Sequence, residues 1–459
     1  MNALYESIWN HGTAPCIRQR GEVRSYRDTA LRISVVRRSF EEAGVTAGDV
    51  VRLECGSAEA TITSMLALLS MNAHVFPINS RWPLAMVQQS TLDTGARFSV
   101  SSARDDTVEI GTIPGAEGIS ATKSIPPSVI VATSGSTGTP KYAVLSLNAL
   151  LASARGVVSL LGLSAGDCWQ LSLPLFHVGG LGIVFRSMCA GSSIAIAQNG
   201  GVPASDGARD GTFLSLVPTQ LYRLLRDPHS HEYLRRQRCI LLGGAPIGAD
   251  ICRRARELGV RVVPSYGLTE MCSLVTADTD VVMRADGSVS MGRTGPGREV
   301  SIDPSGEICV RGECLFSGYL TSEGIAPSVD SQGWFHTRDI GAIDADGGLT
   351  VKGRMDAQFI SGGENIHPEM IEQALAAIAP IVAACVVPLA DPEFGQRPCA
   401  LIVTDGAAYD AEAIRTELRA RIPAFAIPTS IIEAPSHLVT GSGKIDRQGA
   451  LKYARERAG

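Results

Sequence analysis

Short apolar runs alternate with helical patterns through the middle of the chain. Phe213-Leu214-Ser215-Leu216-Val217 is followed by a helical stretch from Gln220 to Arg226, Ile240-Leu241-Leu242 by another from Ile251 to Leu258, and Val262-Val263 closes the series. Runs this short suit buried strands, and the segments between them are long enough for crossover helices, so the pattern predicts successive βαβ units around a parallel sheet. Open α/β sheets hold ligands beyond the carboxyl ends of their strands. Here the runs end in Pro218-Thr219, Gly243-Gly244-Ala245-Pro246 and Ser265-Tyr266-Gly267, read as three loops that share one crevice.

A second feature says what the crevice could hold. Val129-Ile130-Val131 reads as a strand, and the loop after it is Thr133-Ser134-Gly135-Ser136-Thr137-Gly138-Thr139-Pro140-Lys141. Glycine frees backbone N–H groups to converge on anionic oxygens, Ser and Thr hydroxyls add neutral donors, and Lys141 supplies charge, a combination suited to a polyphosphate. It is not a Walker loop, because Gly135 and Gly138 lie too close and Tyr142 follows the lysine. Taken alone, the stretch is equally compatible with a flexible surface loop.

A chain of 459 residues exceeds one ordinary core. From Glu299 onward short strands and turns, such as 306–311 and 348–353, suggest a smaller β subdomain. After Arg354-Met355-Asp356 a helix begins near Pro368 with Ile371, Leu375 and Ile378 on one face. Strand-like 383–387 and 400–404 and a helix over 411–421 follow, enough for a separate α+β domain. The expected organisation is α/β, with a large N-terminal domain over 1–355 and a small C-terminal domain over 356–459 that hinges at Asp356.

The formal net charge of -5 argues against a nucleic-acid binder. Eleven cysteines without a C-x-x-C pair fit reduced core thiols better than disulfides or a zinc site. Residues 1–21 contain Glu6, Trp9 and His11 and no unbroken apolar run, which predicts a cytoplasmic chain. The long uncharged segment 168–185 is interrupted by Gln170, Pro174, His177 and glycines and reads as buried strands and turns, not a membrane span. The oligomeric state stays open, with a homodimer as one option.

Seven segments in order carry a resemblance: 133–141, Leu173-Pro174-Leu175-Phe176-His177, Tyr266-Gly267-Leu268-Thr269-Glu270, Thr337-Arg338-Asp339, Gly353-Arg354-Met355-Asp356, Ser361-Gly362-Gly363-Glu364-Asn365 and Gly441-Ser442-Gly443-Lys444-Ile445-Asp446-Arg447. Together they resemble the adenylate-forming superfamily of acyl-CoA synthetases, adenylation domains and luciferases, over almost the whole chain. The resemblance implies an ATP-dependent acid–thiol ligase that makes an acyl-adenylate and then a CoA thioester. Its ligands would be ATP, Mg2+, coenzyme A and a small carboxylic acid. By that resemblance Thr133, Ser134, Gly135, Ser136, Thr137, Gly138 and Lys141 hold the β- and γ-phosphates, Glu270 ligates magnesium, and Thr269 bonds the α-phosphate. Asp339 would take the ribose hydroxyls, Tyr266 and Gly267 with Gly243, Gly244 and Ala245 the adenine, and Arg354 the ribose or phosphate. Lys444 would bridge carboxylate and α-phosphate, Asp356 would act as the hinge, and Gly362 and Gly363 would turn toward the pantetheine channel.

Within the superfamily the resemblance narrows to o-succinylbenzoate-CoA ligases of menaquinone biosynthesis, through Ser172–His177, Gly182–Arg186, Ser215–Leu221 and Arg338 in place of the usual glycine. Such a substrate keeps a second carboxylate that needs a cation, because a buried unpaired charge costs several kcal/mol. Arg186 is the candidate, assisted by Ser215 and Thr219. His177 is expected as a pocket-wall residue beside the acyl group. Another carboxylic acid, or a carrier-protein thiol as acceptor, remains the alternative.

Overall fold

A computed structural model describes residues 8–80, 82, 84–102, 108–115, 122, 125–133, 140–197, 212–284, 287–355, 357, 359–361, 364–391, 394–440 and 443–458. Ser134, Gly135, Ser136, Thr137, Gly138, Asp356, Gly362 and Gly363 therefore lie outside the described residues.

The βαβ units form as read. Strands Phe213–Leu216, Cys239–Leu242 and Val262–Leu268 run parallel and in sequence order within a nine-stranded sheet. Helices Pro218–Arg226 and Ala249–Glu257 cover one face, burying Leu221, Leu225, Cys252 and Ala255. Pro218 opens the first of these helices at a position where its missing N–H costs nothing. Ser265, Tyr266 and Gly267 are not a loop, however. The strand runs on to Leu268 by exchanging its parallel partner for an antiparallel one, Ser273–Ala277, so Tyr266 is held in a strand opposite Thr276.

A second sheet, of eight strands, contains Ser128–Thr133 and Lys141–Ser146, which pair antiparallel in full register. Helix Leu147–Leu161 contacts the Lys141–Ser146 strand on one side and Ser273–Ala277 of the first sheet on the other. Ser146 caps its start by accepting from the Ala149 N–H, and Gly162 at φ 65° ends it.

Segment 168–185 corrects the strand-and-turn reading. After Cys168–Gln170 it forms the helix Val178–Ala190, packed on Leu147–Leu161. The glycines that disguised it are contact points: a Cβ on Gly180 would lie 2.2 Å from the Pro174 carbonyl oxygen. Among the described residues no helix is long and apolar enough to cross a membrane.

A four-stranded antiparallel sheet runs Arg298–Ile302, Glu307–Gly312, Phe335–Ile343, Leu349–Arg354. Beyond it a separate core forms around Ile371, Leu375, Val386, Ile402 and Leu418, on a three-stranded sheet of Ile381–Asp391, Gly395–Thr404 and Ser430–Glu433. All eleven cysteines are free and most are buried.

Candidate active site

Leu242 ends its strand at the crevice, and Gly243 and Gly244 follow. A Cβ on Gly243 would lie 2.7 Å from Ser265 Oγ, while Gly244 has φ +75°, a conformation that side chains disfavour. Across from them the half-buried Tyr266 donates its hydroxyl to Asp339 Oδ2 at 2.6 Å. Arg354, the cross-strand partner of Asp339, reaches Oδ1 at 3.2 Å. Burial and the Asp339 charge push the Tyr266 phenol well above its usual range, so it remains a donor. Arg338 holds φ 61°, a left-handed conformation, and its N–H is taken by Glu307 Oε1 at 2.6 Å. This bend turns the strand so that Asp339 faces Tyr266.

Thr133 and Lys141 pair across the base of a hairpin, with Thr133 Oγ1 donating to the Lys141 carbonyl at 3.3 Å. The exposed Lys141 ammonium lies 5.2 Å from the Tyr319 ring centroid. Tyr319 donates to Glu270 Oε1 at 2.6 Å, and the other Glu270 oxygen has no hydrogen bond among the described residues. Thr269 and Glu270 sit on a single 3-10 turn directly after the Tyr266 strand.

Lys444 arrives from the C-terminal segment. Its turn is closed by Thr440 N–H donating to the Lys444 carbonyl at 2.6 Å, and Gly443 lies against Thr219. Lys444 Nζ donates to the Gly244 carbonyl at 2.5 Å. Lys444 is an exposed residue, yet the protein close to its ammonium costs it hydration and lowers its pKa. Two ion pairs accompany this docking, Arg226 to Asp405 at 2.6 Å and Arg421 to Asp250 at 3.2 Å.

Arg186 is not a surface residue: it is 1 % exposed, inside the helix Val178–Ala190. Its guanidinium lies 5.2 Å from the Trp169 ring centroid and donates to Ser273 Oγ at 3.1 Å, and its Nε has no partner among the described residues. Among the described residues no carboxylate pairs with it. Burial, then the Arg298 charge, pulls its pKa down to about 9, so it is still a cation at neutral pH. Trp169 Nε1 donates to Ser215 Oγ at 3.1 Å, and Ser172 Oγ to the Ser215 carbonyl at 2.5 Å. Arg186 and Ser215 thus meet through Trp169, whereas Thr219 lies at the Lys444 turn. His177 is exposed, precedes the Arg186 helix and touches the Phe176 ring at 4.7 Å.

Residues 5–320 match the model of the AMP-binding enzyme family, and residues 370–444 match the AMP-binding enzyme C-terminal domain. The chain belongs to the AMP-binding enzyme family. It is 35% identical over 458 residues, 98% of each chain, to the 2-succinylbenzoate–CoA ligase of Salmonella typhimurium. An arginine-to-lysine variant of E. coli MenE with bound OSB-AMS superposes with TM-score 0.82 at 32% identity, covering 99% of both chains. The Bacillus subtilis o-succinylbenzoate CoA synthetase in complex with the acyl-adenylate OSB-AMP has TM-score 0.83 over 97% of both chains at 24% identity, a likeness of fold. The adenylate-forming resemblance read from the motifs is borne out.

In this AMP-binding enzyme Tyr266, Asp339 and Arg354 meet through hydrogen bonds, Thr269 and Glu270 follow directly on the Tyr266 strand, and Lys444 reaches Gly244. Tyr319 and Ser273 escaped sequence reading because no neighbouring residue hints at their contacts. Asp303, Cys309 and His336 gather within 4.8 Å of one another, but they serve another purpose. His336 Nδ1 pairs with Glu307 Oε2 at 3.0 Å, Asp303 Oδ1 takes donors from Ser305 and Glu307, and burial pushes the Cys309 thiol up to about 11. The cluster supports Glu307, and through it the Arg338 bend.

Proposed function

We propose that this AMP-binding enzyme is a 2-succinylbenzoate–CoA ligase working in two half-reactions. In the first, a carboxylate oxygen of the succinyl arm attacks the α-phosphorus of ATP, the bond to the β-phosphate breaks, and pyrophosphate leaves. In the second, the CoA thiolate attacks the acyl carbon, the bond to the AMP oxygen breaks, and AMP leaves. The first step sets an anion against an anion, so positive charge and donors must converge on it.

Lys444, close to Thr219 and Gly244 in the cleft, is positioned to bridge the two reacting groups. Asp339 accepts from the ribose hydroxyls, displacing the contacts it now makes with Tyr266 and Arg354. Thr133 and Lys141 flank the triphosphate together with residues 134–138, and Thr269 donates to the α-phosphate. The adenine lies over Gly243, Gly244 and Ala245 beside Tyr266 and Gly267. Glu270 suits magnesium, a hard ion for a hard oxygen, since one carboxylate oxygen is fixed by Tyr319 and the other is uncommitted. A magnesium ion held there would offset the phosphate charge. Asp356 serves as the hinge, and Gly362 and Gly363 line the pantetheine path.

The observation that carries the substrate assignment is Arg186. A guanidinium buried without a counter-ion is costly in the free protein, and a second substrate carboxylate relieves that cost. A ligase for a simple monocarboxylic acid would bind a neutral tail more favourably without the arginine. Thioester formation with 2-succinylbenzoate beside benzoate and a medium-chain fatty acid tests this. The expected result is preference for the dicarboxylate, and preference for a monocarboxylate would refute it.

A further inference from the structure

We infer that Tyr319 is a positioning residue that sets the magnesium-facing oxygen of Glu270 and ties it to the phosphate-loop lysine. The inference rests on Glu270 being the magnesium ligand proposed above.

Tyr319 stands where the two parts of the phosphate site meet. Its strand, Tyr319–Thr321, is antiparallel to the strand that Lys141 begins, with Tyr319 opposite Ala143. Gly318 lets the backbone in: a Cβ there would lie 2.4 Å from the Ala326 carbonyl oxygen. From this place the hydroxyl donates to Glu270 Oε1 at 2.6 Å, and the ring face lies 5.2 Å from the Lys141 ammonium. Phe316 packs edge-on against the ring at 4.9 Å, and its own N–H donates to the Glu270 carbonyl at 2.8 Å. One short segment therefore holds both the backbone and the carboxylate of Glu270.

A carboxylate on a flexible stem pays rotamer entropy each time it orders on an ion. A donor on one oxygen removes that freedom in advance and aims the other oxygen outward. The ring face attracts the ammonium of Lys141, which keeps it near the same phosphates. The Tyr319 hydroxyl thus acts on metal binding, and its ring on the lysine.

The test uses the full-length protein and Mn2+ as probe, with a non-hydrolysable ATP analogue present, and reads bound Mn2+ by electron paramagnetic resonance. Tyr319→Phe keeps the ring and is expected to weaken Mn2+ binding about tenfold, the scale of one hydrogen bond to a charged group, with an unchanged thermal midpoint. Glu270→Gln should weaken it at least as much, and adding Tyr319→Phe to it should cost little more, because the hydroxyl acts through Glu270. Wild-type Mn2+ affinity in Tyr319→Phe, with Glu270→Gln impaired, overturns the role of Tyr319 alone. Wild-type affinity in Glu270→Gln overturns the assignment of Glu270 itself, and this inference with it.

Discussion

Lys444 and Gly244 meet across the cleft, the lysine Nζ donating to the glycine carbonyl oxygen at 2.5 Å. The C-terminal segment is thereby docked with the Lys444 ammonium at the site proposed for adenine and α-phosphate. A charge aimed at a transition state contributes more than one that binds ground state and transition state alike. Lys444→Ala is expected to lower pyrophosphate exchange by about two orders of magnitude or more. Thioester formation from preformed acyl-adenylate should stay within a few-fold of wild type, as single-turnover kinetics would show.

Among the described residues two ion pairs between the segments, Arg226 with Asp405 and Arg421 with Asp250, belong to this docked arrangement. Both are exposed, so each is weak and screened by salt. The variant Asp250→Lys with Asp405→Lys is expected to slow adenylation about two- to fivefold, on the scale of exposed pairs, while leaving thioester formation from the adenylate unchanged or faster. Rising salt should slow the wild-type adenylation step in the same direction, read by stopped-flow pyrophosphate release.

Replacing Arg186 by methionine removes a buried charge that has no acidic partner among the described residues. Buried charges exchanged for apolar groups of similar volume often leave stability unchanged or raise it by about 1–4 kcal/mol. Arg186→Met is therefore expected to melt no lower than wild type, by calorimetry. Its kcat/KM for 2-succinylbenzoate should fall about a hundredfold or more, the cost of leaving one member of a buried charge pair alone. The analogue without the ring carboxylate should lose far less.

His336 gives a pH dependence. Its hydrogen bond to Glu307, and then the Glu307 and Asp330 charges, raise its pKa above 6.5 in the folded state. A raised folded-state pKa adds stability that is fully present below the unfolded value and is lost as pH rises through the folded one. The loss should therefore begin near pH 6.5 and finish just above the raised value. Since the ring is largely exposed the effect is small. His336→Gln is expected to flatten this part of the stability profile, measured by urea unfolding at several pH values.

Much of the fold was legible because it rests on local pattern. The βαβ periodicity from Phe213 to Val263 and the helix at Pro368 depend on which residues can bury a face, and these match the structure closely. Glycine misled at 168–185, where Gly179, Gly180 and Gly182 look like turns. Gly179 and Gly180 are there because the helix packs closely on Leu173 and Pro174, and Gly182 because the Arg186 guanidinium lies against it. The sequence reads Tyr266 as a loop residue because nothing in its neighbourhood reveals the antiparallel strand that lengthens its own. The motif residues of the site were legible because the chemistry demands particular types in order. Arg186 could be named from the sequence, but not that it lacks a counter-ion among the described residues, since that depends on the whole surrounding core. Tyr319 was illegible for the same reason: its partners Glu270 and Lys141 are remote in sequence.

The central claim is that residues from both segments hold ATP and a dicarboxylic acid head-on, with positive charge offsetting their repulsion. Exchange of labelled pyrophosphate into ATP, with magnesium and 2-succinylbenzoate and without CoA, tests it most directly. Robust exchange that depends on 2-succinylbenzoate and collapses in Lys444→Ala is the predicted result. No exchange in the wild-type protein, or exchange unaffected by the loss of Lys444, would contradict it.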